Sequence, residues 1–428
     1  MTTNNNSENP LRRKERARIL AAVKKFVLKR HFNVAGISYE DWVRSFDQRS
    51  EELLSAELNE FEAGIRELLS GLGSSHTLFY NEKAQHILPQ HSINATVRKL
   101  SLNGTERWMF LDVFEDGPAY AVGIKPGDLL LSLDGDESKP PTMPPFGIGR
   151  THRLKIGAVH GGRVRDLNID VPQVKAKGSI PPMVEPKSIT HRIIAPGVGL
   201  LKVTYFPGGM GTRFAKQLDA AIANLKDQGV DRLIIDLRGN IGGGLGLARL
   251  ASYMCSGQLP IGHSLTRARL NSGYDMEKLP RVPMPQNKAE LLWTLSRFSF
   301  RDKSLILLTQ GLGPQPFHGK IVLLVNEWTN SAAEIVAGFA QAHRLATILG
   351  NKTAGNVLGA ANFKVGRGYT LRLPIFGWYT PLGDCLEGKG VSPDFKVEVD
   401  PYALNSGTDQ QMDKALEIAA GQYAPSES

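Results

Sequence analysis

Cysteine is scarce in this chain of 428 residues: Cys255 and Cys385 are the only two, far apart in sequence. That excludes a disulfide-stapled scaffold and a cysteine-based zinc site. Long apolar runs are missing as well. Ile321–Val325 is five residues long, and Ile19–Val23 is another five before Lys24-Lys25. A membrane span needs about 18, and a secretory core is also longer than five. The expectation is a protein without a membrane span and of cytoplasmic location, or periplasmic or exported if a leader has been removed. Wholesale disorder is excluded too, because 41% hydrophobic residues and 44 glycines are an ordinary globular complement. At roughly 150 residues per domain, the length suggests about three domains.

Excess charge is absent from most of the chain. The net charge is +9, yet nine basic side chains fall within residues 1–30 against only Glu8 and Glu15. The remainder is close to neutral. A nucleic-acid binder carries basic charge with aromatics across a docking face, so the basic stretch reads as one solvated helix, and no nucleic acid is expected.

Three textures follow one another. Residues 1–88 are helical in pattern. Asn9-Pro10 suits a helix start, Ile19, Leu20, Val23, Phe26 and Val27 keep helical spacing, and a second helix over about 40–70 is predicted with Gly71 as its cap. Residues 89–174 are β-rich, with a strand over Trp108–Phe114, a turn at Lys125-Pro126-Gly127-Asp128, a strand over Leu129–Leu133 and a hairpin at Asp134-Gly135. From 175 to 428, after a proline-rich linker, strands and helices alternate: strands at Gly199–Val203, Leu233–Leu237 and Ile321–Val325, helices at Gly211–Gln228 and Ser331–His343. This rhythm predicts a mainly parallel sheet covered by helices. The stretch 257–318 has no clean period and reads as an insertion or lid.

Two strand ends carry unusual loops. Asp236-Leu237-Arg238-Gly239-Asn240-Ile241-Gly242-Gly243-Gly244 offers backbone N–H groups to an anion or a developing oxyanion. A phosphate cradle is disfavoured: no Gly-Lys-Ser/Thr follows, and Gly-x-Gly-x-x-Gly breaks at Arg249. Asn326-Glu327-Trp328-Thr329-Asn330-Ser331-Ala332-Ala333-Glu334 places a serine at the carboxyl edge of the sheet, where ligands bind. Taken alone, such a serine is more often a helix N-cap than a nucleophile. The histidines, His86 and His91 included, lack metalloprotease spacing, so neither metal nor cofactor is expected.

The combination resembles the C-terminal processing, or tail-specific, serine protease family. The resemblance rests on an ordered set: Gly117-Pro118-Ala119, Gly127-Asp128-Leu129-Leu130, Asp-Leu-Arg-x-Asn-x-Gly-Gly from Asp236, Thr-x-Ser-Ala-x-Glu from Thr329, and Glu387-Gly388-x-Gly390-Val391-x-Pro393-Asp394. It implies a multidomain α/β fold in three parts. These are an N-terminal helical domain (1–88), a circularly permuted PDZ-like β domain (89–174) and a protease core of the ClpP/crotonase-like type (175–428). It further implies Ser331 as nucleophile and an oxyanion hole from Ala332 with Gly242 or Gly243. A polypeptide substrate entering by its C-terminus is implied as well, and a homo-oligomer is compatible with it.

One departure redirects the mechanism. Many members carry a base in Thr-x-Gly-Lys-Gly, but here the segment is Thr353-Ala354-Gly355-Asn356-Val357, and a usual glutamine further on is Ala360. Asn356 cannot accept a proton near neutral pH. Lys352 precedes the glycine turn and is expected to point elsewhere. Ser75-His76-Thr77 instead looks like the arrangement of tricorn-type relatives, which implies His76 as base with Ser75 and Glu387 orienting it, Asp384 standing in reserve. An acid limb at about pH 6–7.5 is then expected. Two other readings stay open: a catalytically silent relative that binds peptides or apolar ligands, and a Ser/His hydrolase of small peptides or esters.

Overall fold

The computed structural model describes residues 11–81, 86–175, 182–208, 211–283, 290 and 304–421. The expected Asn9-Pro10 helix start lies outside them; the first described helix is Arg13–Arg30. The chain divides into two compact units, residues 1–84 with 266–273 and 358–377, and residues 85–265 with 274–357 and 378–428.

In the first unit, the stretch expected as one helix over 40–70 is two, Tyr39–Leu53 and Leu58–Ser70. The two pack closely where they meet: a Cβ on Gly64 would fall 2.4 Å from a Leu53 methyl, which would have to move aside. Gly71 keeps right-handed dihedrals, and Gly73 at φ +59 makes the left-handed turn instead. The three helices bury Ile19, Val23, Phe46, Phe61 and Ile65 against Phe79, Val365, Tyr369, Leu371 and Leu373. The last four belong to an antiparallel pair of strands, Leu358–Gly366 and Tyr369–Tyr379, joined at its edge by Leu78–Asn81. Most of this hairpin therefore sits with the N-terminal helices, whereas its place in the chain puts it within 175–428. Helical periodicity shows that these helices have an apolar stripe and says nothing of what covers it.

The second unit contains two sheets that matter for the site. Strands Ala95–Leu102, Thr105–Val113, Leu129–Leu133, Arg150–Gly157 and Arg165–Val171 form an antiparallel β module. Its predicted hairpin is present: Asp134 and Gly135 have φ of +55 and +97, and Leu133 pairs with Asp136. The other sheet has the order Ile189–Ala195, Val198–Val203, Arg232–Asp236, Ile321–Val325, Thr347–Gly350, Phe395–Lys396. All neighbours after the first pair are parallel, as the alternating pattern predicts. Alternate residues serve opposite faces. Leu233, Ile235, Leu323 and Val325 pack under helices Thr212–Asp227 and Ala332–Ala342, and Ile234, Val322 and Leu324 under helix Gln410–Ala419. Burial on both faces is why these strands read as unbroken apolar runs. Within 257–318, strands Pro260–Thr266, Arg281–Pro283 and Leu305–Leu308 pair with one another, so part of the supposed insertion is ordered sheet; 284–289 and 291–303 lie outside the described residues.

Candidate active site

Both unusual loops leave the carboxyl ends of neighbouring parallel strands, Arg232–Asp236 and Ile321–Val325. Side-chain bonds stitch them together. Asn326 is 1% exposed, and its Oδ1 accepts from Gly239 N–H and Trp328 N–H, both at 3.0 Å. Thr329 Oγ1 donates to Leu237 O at 2.9 Å, and Asn330 N–H donates to Asn240 O at 2.9 Å. The β module holds the same loop from its other side. Arg98 grips Glu327 with two bonds of 2.5 and 2.7 Å, Trp328 Nε1 donates to Val97 O, and Asn326 Nδ2 donates to Asp112.

At the end of this fixed loop, Ser331 has φ +52 and ψ −112. A non-glycine residue seldom adopts such dihedrals, and strain of this kind costs about 1–3 kcal/mol. The surroundings that hold it there centre on Glu334. This carboxylate is fully buried and accepts from Ser331 N–H at 3.0 Å, Thr353 Oγ1 at 2.6 Å, Gly355 N–H at 2.6 Å and Asn356 N–H at 2.9 Å. Burial pushes its pKa up while the four donors pull it down, and burial prevails. Glu334 thus joins the serine turn to the Thr353–Asn356 turn. Its motif is visible in the sequence, but this positioning role is not; the Ser-x-x-Glu spacing of a capping box is the signal that would have found the bond to Ser331. Glu334→Gln should lower both the melting temperature and kcat, the latter by roughly 10²-fold. The substituted amide would direct its own N–H groups at backbone donors and leave buried groups unpaired. Thermal unfolding and steady-state kinetics check this.

The glycine loop lies against the serine. A Cβ on Gly242 would fall 2.7 Å from Ser331 Cβ and 3.3 Å from Ala332 N. The two glycines differ in what their amides do. Gly242 N–H donates to Asn240 Oδ1 at 2.8 Å. Gly243 pairs alongside Phe206 in a parallel bridge, in which Phe206 bonds to the flanking residues 242 and 244. Among the described residues nothing accepts from Gly243 N–H, nor from Ala332 N–H at the first turn of its helix, where no carbonyl is in reach.

The other expected residues divide between the units. Glu387 Oε2 accepts from Val357 N–H at 2.8 Å, beside Asn356. Asn356 itself donates from Nδ2 to Asn330 Oδ1 at 2.9 Å. Lys352 and Asp384 are exposed, Asp384 in a turn closed by Thr380. In the first unit, Ser75 Oγ lies 2.8 Å from His76 Nδ1, and His76 has φ +60. Burial, and after it the Arg372 guanidinium, lowers His76 to about 4, below the acid limb of about 6–7.5 expected from the sequence. Among the described residues no group of three or more His, Cys, Asp or Glu side chains could hold a metal, and no helix is long and apolar enough to cross a membrane.

Residues 197–397, which contain both loops, match peptidase family S41. The match covers a little under half of the chain. Over a longer stretch, the chain is similar to the carboxy-terminal-processing protease of Bartonella bacilliformis, at 26% identity over 307 residues, 66% of this chain and 57% of that protein. It is also similar to the carboxyl-terminal-processing protease of Synechocystis, at 24% over 324 residues, 72% of this chain and 64% of that one. The chain spans between about half and two thirds of the length of the curated relatives it matches. Its fold is similar to that of the photosystem II D1 C-terminal processing protease, with a TM-score of 0.54 and 18% identity over 90% of this chain and 93% of that one. The multidomain α/β fold is thus similar to that of C-terminal processing proteases.

Proposed function

We propose that the protein is a serine endopeptidase that cleaves polypeptides near their C-terminal tails. The observation that carries this reading is Ser331. It is held at strained dihedrals on a strand-to-helix turn, with the Gly242–Gly243 backbone against it, inside an S41 segment. Its hydroxyl adds to the scissile carbonyl, and His76 takes the proton and returns it to the leaving amine. Ser75, bonded to His76 Nδ1, and Glu387 orient the imidazole. The unspent amides of Gly243 and Ala332 receive the oxyanion; Gly242, whose N–H is engaged with Asn240, shapes the loop. Water then hydrolyses the acyl-enzyme. A fluorophosphonate probe should label wild type and not Ser331→Ala. Absence of label from an active wild type would overturn a serine mechanism, and label with no cleavage of any protein substrate would favour the ester or small-peptide hydrolase.

In the same reading the β module is PDZ-like and presents the tail, adding it as a strand and capturing its carboxylate. Its strands grip the nucleophile loop through Arg98–Glu327 and Val97–Trp328, which gives tail binding a direct route to Ser331. Amidating the C-terminus of a good substrate should lower kcat/KM by roughly tenfold or more. An unchanged kcat/KM would mean the module reads no tails.

A further inference from the structure

On the strand Tyr369–Tyr379, side chains alternate between two faces of the hairpin sheet. Tyr369, Leu371 and Leu373 join the helical core, which places Arg372 on the opposite face. Register sets Arg372 directly across from Leu78 on one side and Asn362 on the other, with Tyr80 two residues along from Leu78. Asn362 Nδ2 donates to Tyr80 Oη at 3.2 Å. Among the described residues Arg372 has one bond, a long one from Nη1 to Asn362 Oδ1 at 3.5 Å. No carboxylate among the described residues meets it, and burial works against its charge.

A half-buried guanidinium is usually paired, because burying a cation without a counter-ion is costly. Arg98, Arg238 and Arg249 obey this, each held by carboxylates. Arg372 does not, and it stands directly across from Leu78, two residues on from His76, on whose imidazole its charge acts. Its guanidinium has five N–H donors in a planar fork suited to a carboxylate, and one weak bond leaves most of them unused.

We propose that Arg372 reads a carboxylate of the bound polypeptide beside His76, making the protein selective for peptides that carry an acidic group near the cleaved bond. The inference rests on His76 being the base of a serine peptidase. The pairing would satisfy the orphan cation only when substrate is present, so its binding energy is realised in the complex. The carboxylate comes from an aspartate or glutamate side chain, or from the chain's terminus.

The test uses the full chain and a peptide series in which each position around the cleavage site is Glu or Gln, made with both free and amidated C-termini. For one position, wild type should prefer Glu to Gln by roughly ten- to a hundredfold in kcat/KM, the range for a charge-assisted bond. Arg372→Gln should bring that ratio to about one, and Arg372→Lys should restore part of it. If the discrimination that Arg372→Gln removes is between free acid and amide, the carboxylate is that of the terminus. A merely structural arginine would lower the rates for all peptides and leave the ratios alone, which overturns the proposal. Should Arg372→Gln not fold, wild type alone decides: no preference at any position or terminus overturns it. Fluorophosphonate labelling of Ser331 separates the two levels. A wild type that labels and cleaves without discrimination refutes only the role of Arg372, whereas one that neither labels nor cleaves refutes the peptidase reading beneath it.

Discussion

Ser331→Ala should lower peptide hydrolysis by roughly 10⁴-fold or more while leaving the protein folded. The size of the effect follows from covalent catalysis: without the Oγ no acyl-enzyme forms, and only transition-state binding by the Gly243 and Ala332 amides remains. Folding should survive because the turn is fixed mainly by bonds that do not use the hydroxyl. Glu334 holds the Ser331 backbone N–H, and Asn330 is anchored through its own N–H to Asn240 O. Alanine at φ +52 is strained to about the same degree as serine, so the melting temperature should shift by less than a few degrees. A variant that retained a tenth of wild-type activity would remove Ser331 from the mechanism.

His76→Ala should cost roughly 10³-fold or more, since a triad without its base loses nearly as much as one without its nucleophile. Lys352→Ala should stay within about tenfold, because that ammonium is exposed and is asked to move no proton. Ser75→Ala and Glu387→Gln should fall between the two, as orienting groups usually do. The pH profile adds an independent readout. The base must be neutral to accept the Ser331 proton, so activity is lost when the imidazole protonates. Burial and Arg372 lower His76 to about 4, so kcat/KM should hold from neutrality down through pH 6 and fall only as pH approaches that value. Arg372→Gln, which removes the neighbouring cation, should move this acid limb upward, toward the ordinary imidazole range. An active His76→Ala together with an inactive Lys352→Ala would replace the Ser/His pair by a Ser/Lys dyad.

The local pattern of the chain was enough to locate much of this architecture. Helix Thr212–Asp227 follows from Phe214, Leu218, Ile222 and Leu225 on one face. Strand Ile321–Val325 follows from five apolar residues between polar turns, and the Asp134-Gly135 hairpin from residues that tolerate positive φ. The glycine loop and the Ser331 turn were legible for a related reason: their residue types suit backbone shapes and ligand contacts that few other sequences permit.

Other features depend on residues distant in sequence. Gly242 and Gly243 look interchangeable in a run of glycines, and only the fold shows Asn240 occupying one amide and leaving the other unspent. Glu334 looks like a surface helix residue until Thr353, Gly355 and Asn356 are brought onto it. His76 looks like an ordinary imidazole until burial and a cation from position 372 act on it. Many of the helices, strands and tight turns could be placed from neighbouring residues, because periodicity and backbone preference are local properties, whereas the break at 54–57 and the strands within 257–318 could not. Tertiary structure alone decided that the hairpin of 358–377 covers the N-terminal helices, which amide is free, and how far the histidine is shifted. Hydrogen-bond partners, burial and Coulomb fields are set by distance in space, and a linear pattern of apolar and polar positions does not contain that distance.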